Sequence, residues 1–179
     1  MENTSQIANI AYKIETFLYK KLSLDEIIKE IDALKDKEEF PQNLQLVDAY
    51  LGKEGTSGCA FLDINTGEVI VGFAGTNKNP GKIEFAKDII ADATIGITGL
   101  TPDDEYLKEA NEFMKRLEKY NVTLVTGHSL GGAISVLVGV NNNIETIVTY
   151  NGAPLYVTTG TKVFLSSTGL LYNSSSALN

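Results

Sequence analysis

Apolar residues recur along the first half of the chain with two different periods, and the change from one to the other separates helices from strands. Ile7, Ile10, Ala11, Ile14, Phe17 and Leu18 fall on one face at a spacing of 3.6, which predicts an amphipathic helix. Ser23 and Glu26 have the spacing of a capping box, in which side chains satisfy the free N–H groups of a helix start. Leu24, Ile27, Ile28, Ile31 and Leu34 give the second helix its stripe; the charged run Lys35 to Glu39 closes it and Pro41 ends it. Strand-like runs follow at Leu44–Leu51 and Gly58–Ile64. The turn Asn65-Thr66-Gly67 then leads to a third run, Glu68–Phe73, so a hairpin is expected.

After a polar loop through Pro80 and Gly81, a short helical stretch is expected near residues 83–93. The piece Thr94–Leu100 is apolar but broken by Gly96 and Gly99, and it reads as a loop. Thr101-Pro102-Asp103-Asp104-Glu105 has a cap, a first-position proline and acids on the positive dipole end, a strong helix start. Its inner face is Tyr106, Ala110, Phe113, Met114, Leu117 and Tyr120. A strand at Val122–Thr126, a glycine-rich apolar helix from Ser129 and a strand at Ile144–Tyr150 complete the pattern. Alternating apolar strands and helices predict an α/β layered fold. Residues 1–40 read as a helical pair packed on a core at 41–165, and their one-sided stripes would equally suit a partner-docking surface. Lys162–Leu165 has strand character, and residues 166–179 read as a Ser/Asn-rich tail.

Composition narrows the function classes. The chain has 179 residues, 43% of them hydrophobic and 21% charged, ordinary values for one globular domain. A net charge of -8 makes nucleic acid or an anionic membrane a poor electrostatic partner. Residues 122–179 contain one acid, Glu145, and one formally positive side chain, Lys162, so the charge sits in the first two thirds. Cys59 is the only cysteine, lies in an apolar run and reads as a core residue; it forms no intrachain disulfide and anchors no Cys-based metal site. No basic and apolar leader opens the chain, and no run of 18 apolar residues spans a bilayer. The expectation is a soluble protein without a signal peptide, cytoplasmic or exported by a signal-independent route.

The chemistry concentrates at Gly127-His128-Ser129-Leu130-Gly131, which has the Gly-x-Ser-x-Gly form of a nucleophile elbow. It follows an apolar strand and opens an apolar helix, the strand–turn–helix context that the motif needs. Glycines two residues to either side let strand and helix pass, while the turn holds the serine in a strained conformation. The helix N-terminus favours negative charge beside Ser129, and the Leu130 amide is placed to donate to an oxyanion.

With Ala133, this segment resembles the elbow of the class 3 lipases, the fungal triacylglycerol-lipase-like branch of the α/β-hydrolases. Val71-Gly72-Phe73-Ala74-Gly75-Thr76 is similar to the family's Phe-Arg-Gly-Thr strand end, and the resemblance implies that Thr76 forms the other half of the oxyanion hole. Asp88-Ile89-Ile90-Ala91-Asp92 resembles its Asp-Trp-x-x-Asp segment, and Thr149-Tyr150-Asn151-Gly152-Ala153-Pro154 its Phe-Gly-x-Pro strand ending. The motifs run in family order over roughly residues 44–155. Ala74 stands where the family has Arg, and Ile89 where it has Trp. Asp88 and Asp92, an i, i+4 pair, suit a solvated helix face or a capping role better than a metal site; Thr94–Leu100 lies where the family carries a lid, and equally suits a buried connection. The resemblance implies a mostly parallel α/β-hydrolase sheet, hydrolysis of lipid-like carboxylic esters, and no metal or organic cofactor.

One departure is chemical. In this fold an acid and then a histidine follow the serine. Here the only histidine is His128, inside the elbow, where the side chain is expected to pack away from Ser129. No Asp follows Ser129, and Glu145 precedes the strand that should carry the acid. The triad is therefore expected to need a downstream Asp and His from a longer chain, or a second polypeptide. An inactive hydrolase-like domain that binds a lipid or protein partner is the alternative.

Overall fold

The computed structural model describes residues 3–53, 55–75, 105–152, 164–166 and 169–172. Helix α1 (Thr4–Tyr19) buries its stripe at Ile7, Ala8, Ile10, Ala11 and Ile14. Helix α2 (Leu24–Asp36) opens at the expected capping box: the Ser23 N–H donates to the Glu26 carboxylate at 2.7 Å, and the Glu26 N–H donates to the Ser23 hydroxyl at 3.4 Å. Strands β1 (Leu44–Leu51), β2 (Ser57–Asp63) and β3 (Val69–Ala74) form an antiparallel meander. Its β2–β3 turn is closed by the Gly67 N–H donating to the Asp63 carbonyl at 2.8 Å.

Helix α3 (Glu105–Arg116) buries Leu107, Ala110, Phe113 and Met114, and Leu117 continues that inner face just beyond it. Leu107 belongs to this face although the sequence pattern did not single it out. Strand β4 (Val122–His128) runs two residues further into the serine motif than its apolar run suggested, and helix α4 (Leu130–Asn141) follows after the single residue Ser129. Strand β5 (Thr146–Tyr150) lies beside β4.

Among the described residues, with β6 at Phe164–Ser166 and β7 at Gly169–Tyr172, the sheet has seven strands in the order β1-β2-β3-β4-β5-β7-β6. Parallel pairing is found at its centre, β3 with β4 and β4 with β5, while both flanks are antiparallel, so the sheet is mixed. The tail expected over 166–179 is corrected at Gly169–Tyr172. These residues form β7, which pairs antiparallel with β5 and with the short strand β6 (Phe164–Ser166). The open edge of β5 supplies backbone partners that local sequence does not reveal.

Alternate strand residues feed two cores. Val69, Val71, Phe73, Val125 and Ile147 pack with α3 and α4 on one face. Leu44, Cys59, Phe61 and Ala74 pack with α1 and α2 on the other. The result is an α/β-hydrolase arrangement of helices on both faces of the sheet, with the C-terminal ends of the parallel strands at one edge. Ala74, where the resemblance expects Arg, is fully buried in the layer beneath α1. The candidate helix at 83–93, the loop Thr94–Leu100 and the capping residues Thr101–Asp104 lie outside the described residues.

Candidate active site

The last residues of β4 set the site. Successive side chains of a strand point to opposite faces. Gly127 accordingly faces α4, where an added Cβ would stand 2.3 Å from the Gly131 carbonyl oxygen. His128 faces the opposite side, its ring edge-on to Tyr12 of α1 with centroids 6.2 Å apart. The next residue, Ser129, has φ 54° and ψ -122°, a left-handed conformation that costs a β-carbon-bearing residue on the order of 1–3 kcal/mol. It persists because both neighbours are fixed. The Ser129 N–H donates to the Tyr150 carbonyl of β5 at 3.0 Å, and its own carbonyl accepts from the N–H groups of Gly132 and Ala133.

A serine at the head of a helix ordinarily caps it, adopting extended φ/ψ and accepting from the second or third N–H. Ser129 does neither: its backbone is left-handed and its hydroxyl makes no capping bond. The side chain is half-buried at the sheet edge. Leu130 is the first helical residue, so its N–H precedes the α4 ladder and belongs to the positive end of the helix dipole.

The end of β3 closes on this turn. An added Cβ at Gly131 would lie 2.1 Å from the Phe73 carbonyl oxygen, and one at Gly75 would lie 2.6 Å from Leu130 Cβ. Gly75 and Leu130 thus touch across the edge. Thr76, the next residue after Gly75, lies outside the described residues, as do Asp88, Asp92, Ala153 and Pro154. On the far side Asn151, at φ 45°, and Gly152 turn the chain past the first turn of α4.

Acid and base are differently placed. Glu145 is exposed and precedes β5, at the opposite end of the strand from Tyr150, which pairs with His128. At about 3.3 Å per residue, that separates it from the serine edge by roughly 17 Å. His128 meets Tyr12 on the α1 face. Among the described residues no group of three His, Cys, Asp or Glu side chains could hold a metal ion, and no helix is long and apolar enough to cross a membrane.

The family model of the class 3 lipases matches residues 39–162. The chain belongs to the class 3 lipase family. Among similar solved structures, the Lip2 lipase of Yarrowia lipolytica shares 20% identity over 62% of this chain and 46% of its own, with a TM-score of 0.44. Lipase II from Rhizopus niveus shares 18% over 84% of this chain and 60% of its own, with a TM-score of 0.45. The Rhizomucor miehei lipase in its propeptide complex shares 17% over 64% of this chain and 42% of its own, at 0.32. The chain spans about half the length of these lipases. Comparison with curated protein sequences gives no match.

The class 3 lipase match begins after α1 and α2, yet α1 reaches the serine edge. Thr4 Oγ1 and the Tyr150 hydroxyl lie 2.6 Å apart, and the Tyr12 hydroxyl donates to the His128 carbonyl at 2.8 Å. Ser57, beside Ala74 at the same edge, donates to the buried Glu15 carboxylate at 2.9 Å. Burial pushes the Tyr12 phenol up to about 12; a hydrogen bond from the Gly75 backbone opposes that rise and the Glu15 charge adds to it. Sequence reasoning missed these three side chains. The one signal was that Thr4, Tyr12 and Glu15 carry polar atoms within the otherwise apolar α1 face.

Proposed function

We propose that the protein hydrolyses carboxylic esters of lipid-like substrates with Ser129 as its nucleophile. The observation that carries this reading is the left-handed Ser129, held between strand and helix and relieved of any capping duty. Oγ attacks the ester carbonyl, and the amides of Leu130 and Thr76 receive the oxyanion. The Oγ proton passes to a histidine and then to the departing alcohol; water repeats the sequence to release the acid. That histidine and its acid partner come from outside these 179 residues, downstream or on a second polypeptide. The lipid-like substrate class rests on membership in the class 3 lipases. No step requires a metal or an organic cofactor.

A fluorophosphonate probe on the full-length protein tests the assignment. The expected outcome is labelling at Ser129 and loss of esterase activity in Ser129→Ala without loss of fold. Labelling at another serine, or full activity in the alanine variant, rules this nucleophile out. The second reading, an inactive hydrolase-like domain that binds a lipid or protein partner, is favoured by the lack of a His or Asp after Ser129 among these 179 residues, where Glu145 is the one acid. It predicts no labelling and no turnover in the full-length protein.

A further inference from the structure

The backbone ladder between β3 and β4 ends at the pair Phe73 and Gly127. Beyond it the two chains part, β3 through Ala74 to Gly75 and β4 through His128 to the Ser129 turn. The Tyr12 hydroxyl reaches the second of these ends, where it donates to the His128 carbonyl at 2.8 Å. One side chain of α1 therefore holds the end of β4 where the β3–β4 ladder no longer does. Its ring is held edge-on against His128, and α1 is anchored further along the same edge by Thr4 at Tyr150 and by Glu15 at Ser57.

We propose that Tyr12 is a positioning residue: its hydroxyl holds the His128 carbonyl against α1 where the β3–β4 ladder has ended, and so sets where Ser129 and the Leu130 amide stand. The inference rests on the Ser129 reading. It adds a contribution from α1, which the class 3 lipase match does not cover. The phenol pushed up to about 12 stays a donor throughout an ordinary assay range, so its bond to the His128 carbonyl does not open as pH changes from 6 to 9. Small displacements of a reacting group change turnover far more than binding, because the ester's distal contacts are untouched.

The test measures kcat and KM on a short-chain nitrophenyl ester for the full-length protein and for Tyr12→Phe, Ser129→Ala and Ile27→Val. Tyr12→Phe keeps the ring against His128 and removes only the hydroxyl that holds its carbonyl. Ile27→Val thins the same helical layer away from the edge. Ser129→Ala is expected to be inactive. Tyr12→Phe is expected to lose about 10- to 100-fold in kcat with KM within about twofold, at every pH from 6 to 9. Ile27→Val is expected to lower the melting temperature and leave kcat unchanged. A Tyr12→Phe kcat within about threefold of the parent, with Ser129→Ala inactive, overturns the Tyr12 role alone. An equal kcat loss in Ile27→Val also overturns it, since general loosening then explains the effect. A parent with no Ser129-dependent turnover overturns both readings.

Discussion

At Gly131 the first turn of α4 lies so close to the end of β3 that an added Cβ would stand 2.1 Å from the Phe73 carbonyl oxygen and 2.9 Å from its carbon. Both contacts are with backbone, which cannot rotate away as a side chain would. Replacing glycine by alanine inside a helix ordinarily stabilises by about 0.8–1 kcal/mol. Here the clash should win, since overpacking a fixed site costs about 1–3 kcal/mol or more. Gly131→Ala is therefore expected to lower the urea midpoint, and a raised midpoint would show that strand and helix do not approach this closely. The motif glycines and Ser129 were legible in the sequence because the elbow's strain is local. Tyr12 was not, because 116 positions separate it from His128 and only the docking of α1 brings the two together.

Helix α2 shows how much an element can state about itself. Its capping box, first-turn acids and apolar stripe are all local, and each forms as the sequence suggests. Ser23→Ala is expected to cost about 1 kcal/mol by thermal melting at neutral pH, the usual value of a cap. The Glu26 carboxyl is held below its ordinary value, first by the Ser23 backbone N–H and then by the Ser23 hydroxyl. A depressed carboxylate contributes stability above its unfolded pKa and loses it as pH falls through the lowered folded value. The difference in melting temperature between parent and Ser23→Ala should therefore shrink between neutral pH and about pH 3. A difference constant over that range would remove the bond from the Ser23 hydroxyl to the Glu26 carboxylate from α2's stability. Strand β7 is the opposite case. Gly-Leu-Leu-Tyr is too short and too flanked by Ser and Thr to announce a strand, and its pairing with β5 decides it.

At the scale of the whole molecule, β2 and β3 each serve two cores. Ala60 packs toward α3 and α4, whereas its neighbours Cys59 and Phe61 pack beneath α1 and α2. Phe73 lies in the first core and is fully buried, like Phe61 in the second. Truncating either ring should cost about 3–5 kcal/mol. Because the cores share the same strands, each of Phe61→Ala and Phe73→Ala should shift one common transition. Far-ultraviolet circular dichroism and tyrosine fluorescence, the chain having 8 Tyr and no Trp, provide two independent probes. Separate transitions in the two probes would mean that the α1–α2 layer unfolds by itself.

The sequence by itself determined the elements whose signals are local: the amphipathic helices, the β2–β3 hairpin, the capping box, and the Gly-x-Ser-x-Gly turn with its family. Periodicity and capping act over a few residues, so they survive in a one-dimensional reading. The tertiary structure alone decided what depends on distant pairing. It confined parallel neighbours to β3, β4 and β5, drew β6 and β7 onto the edge of β5, and set Glu145 at the far end of the sheet from Ser129. It also laid α1 across the strand ends, so that Thr4, Tyr12 and Glu15 meet the edge carrying the serine. Such contacts depend on where whole elements dock, and a side chain's local sequence carries no record of the surface it will face.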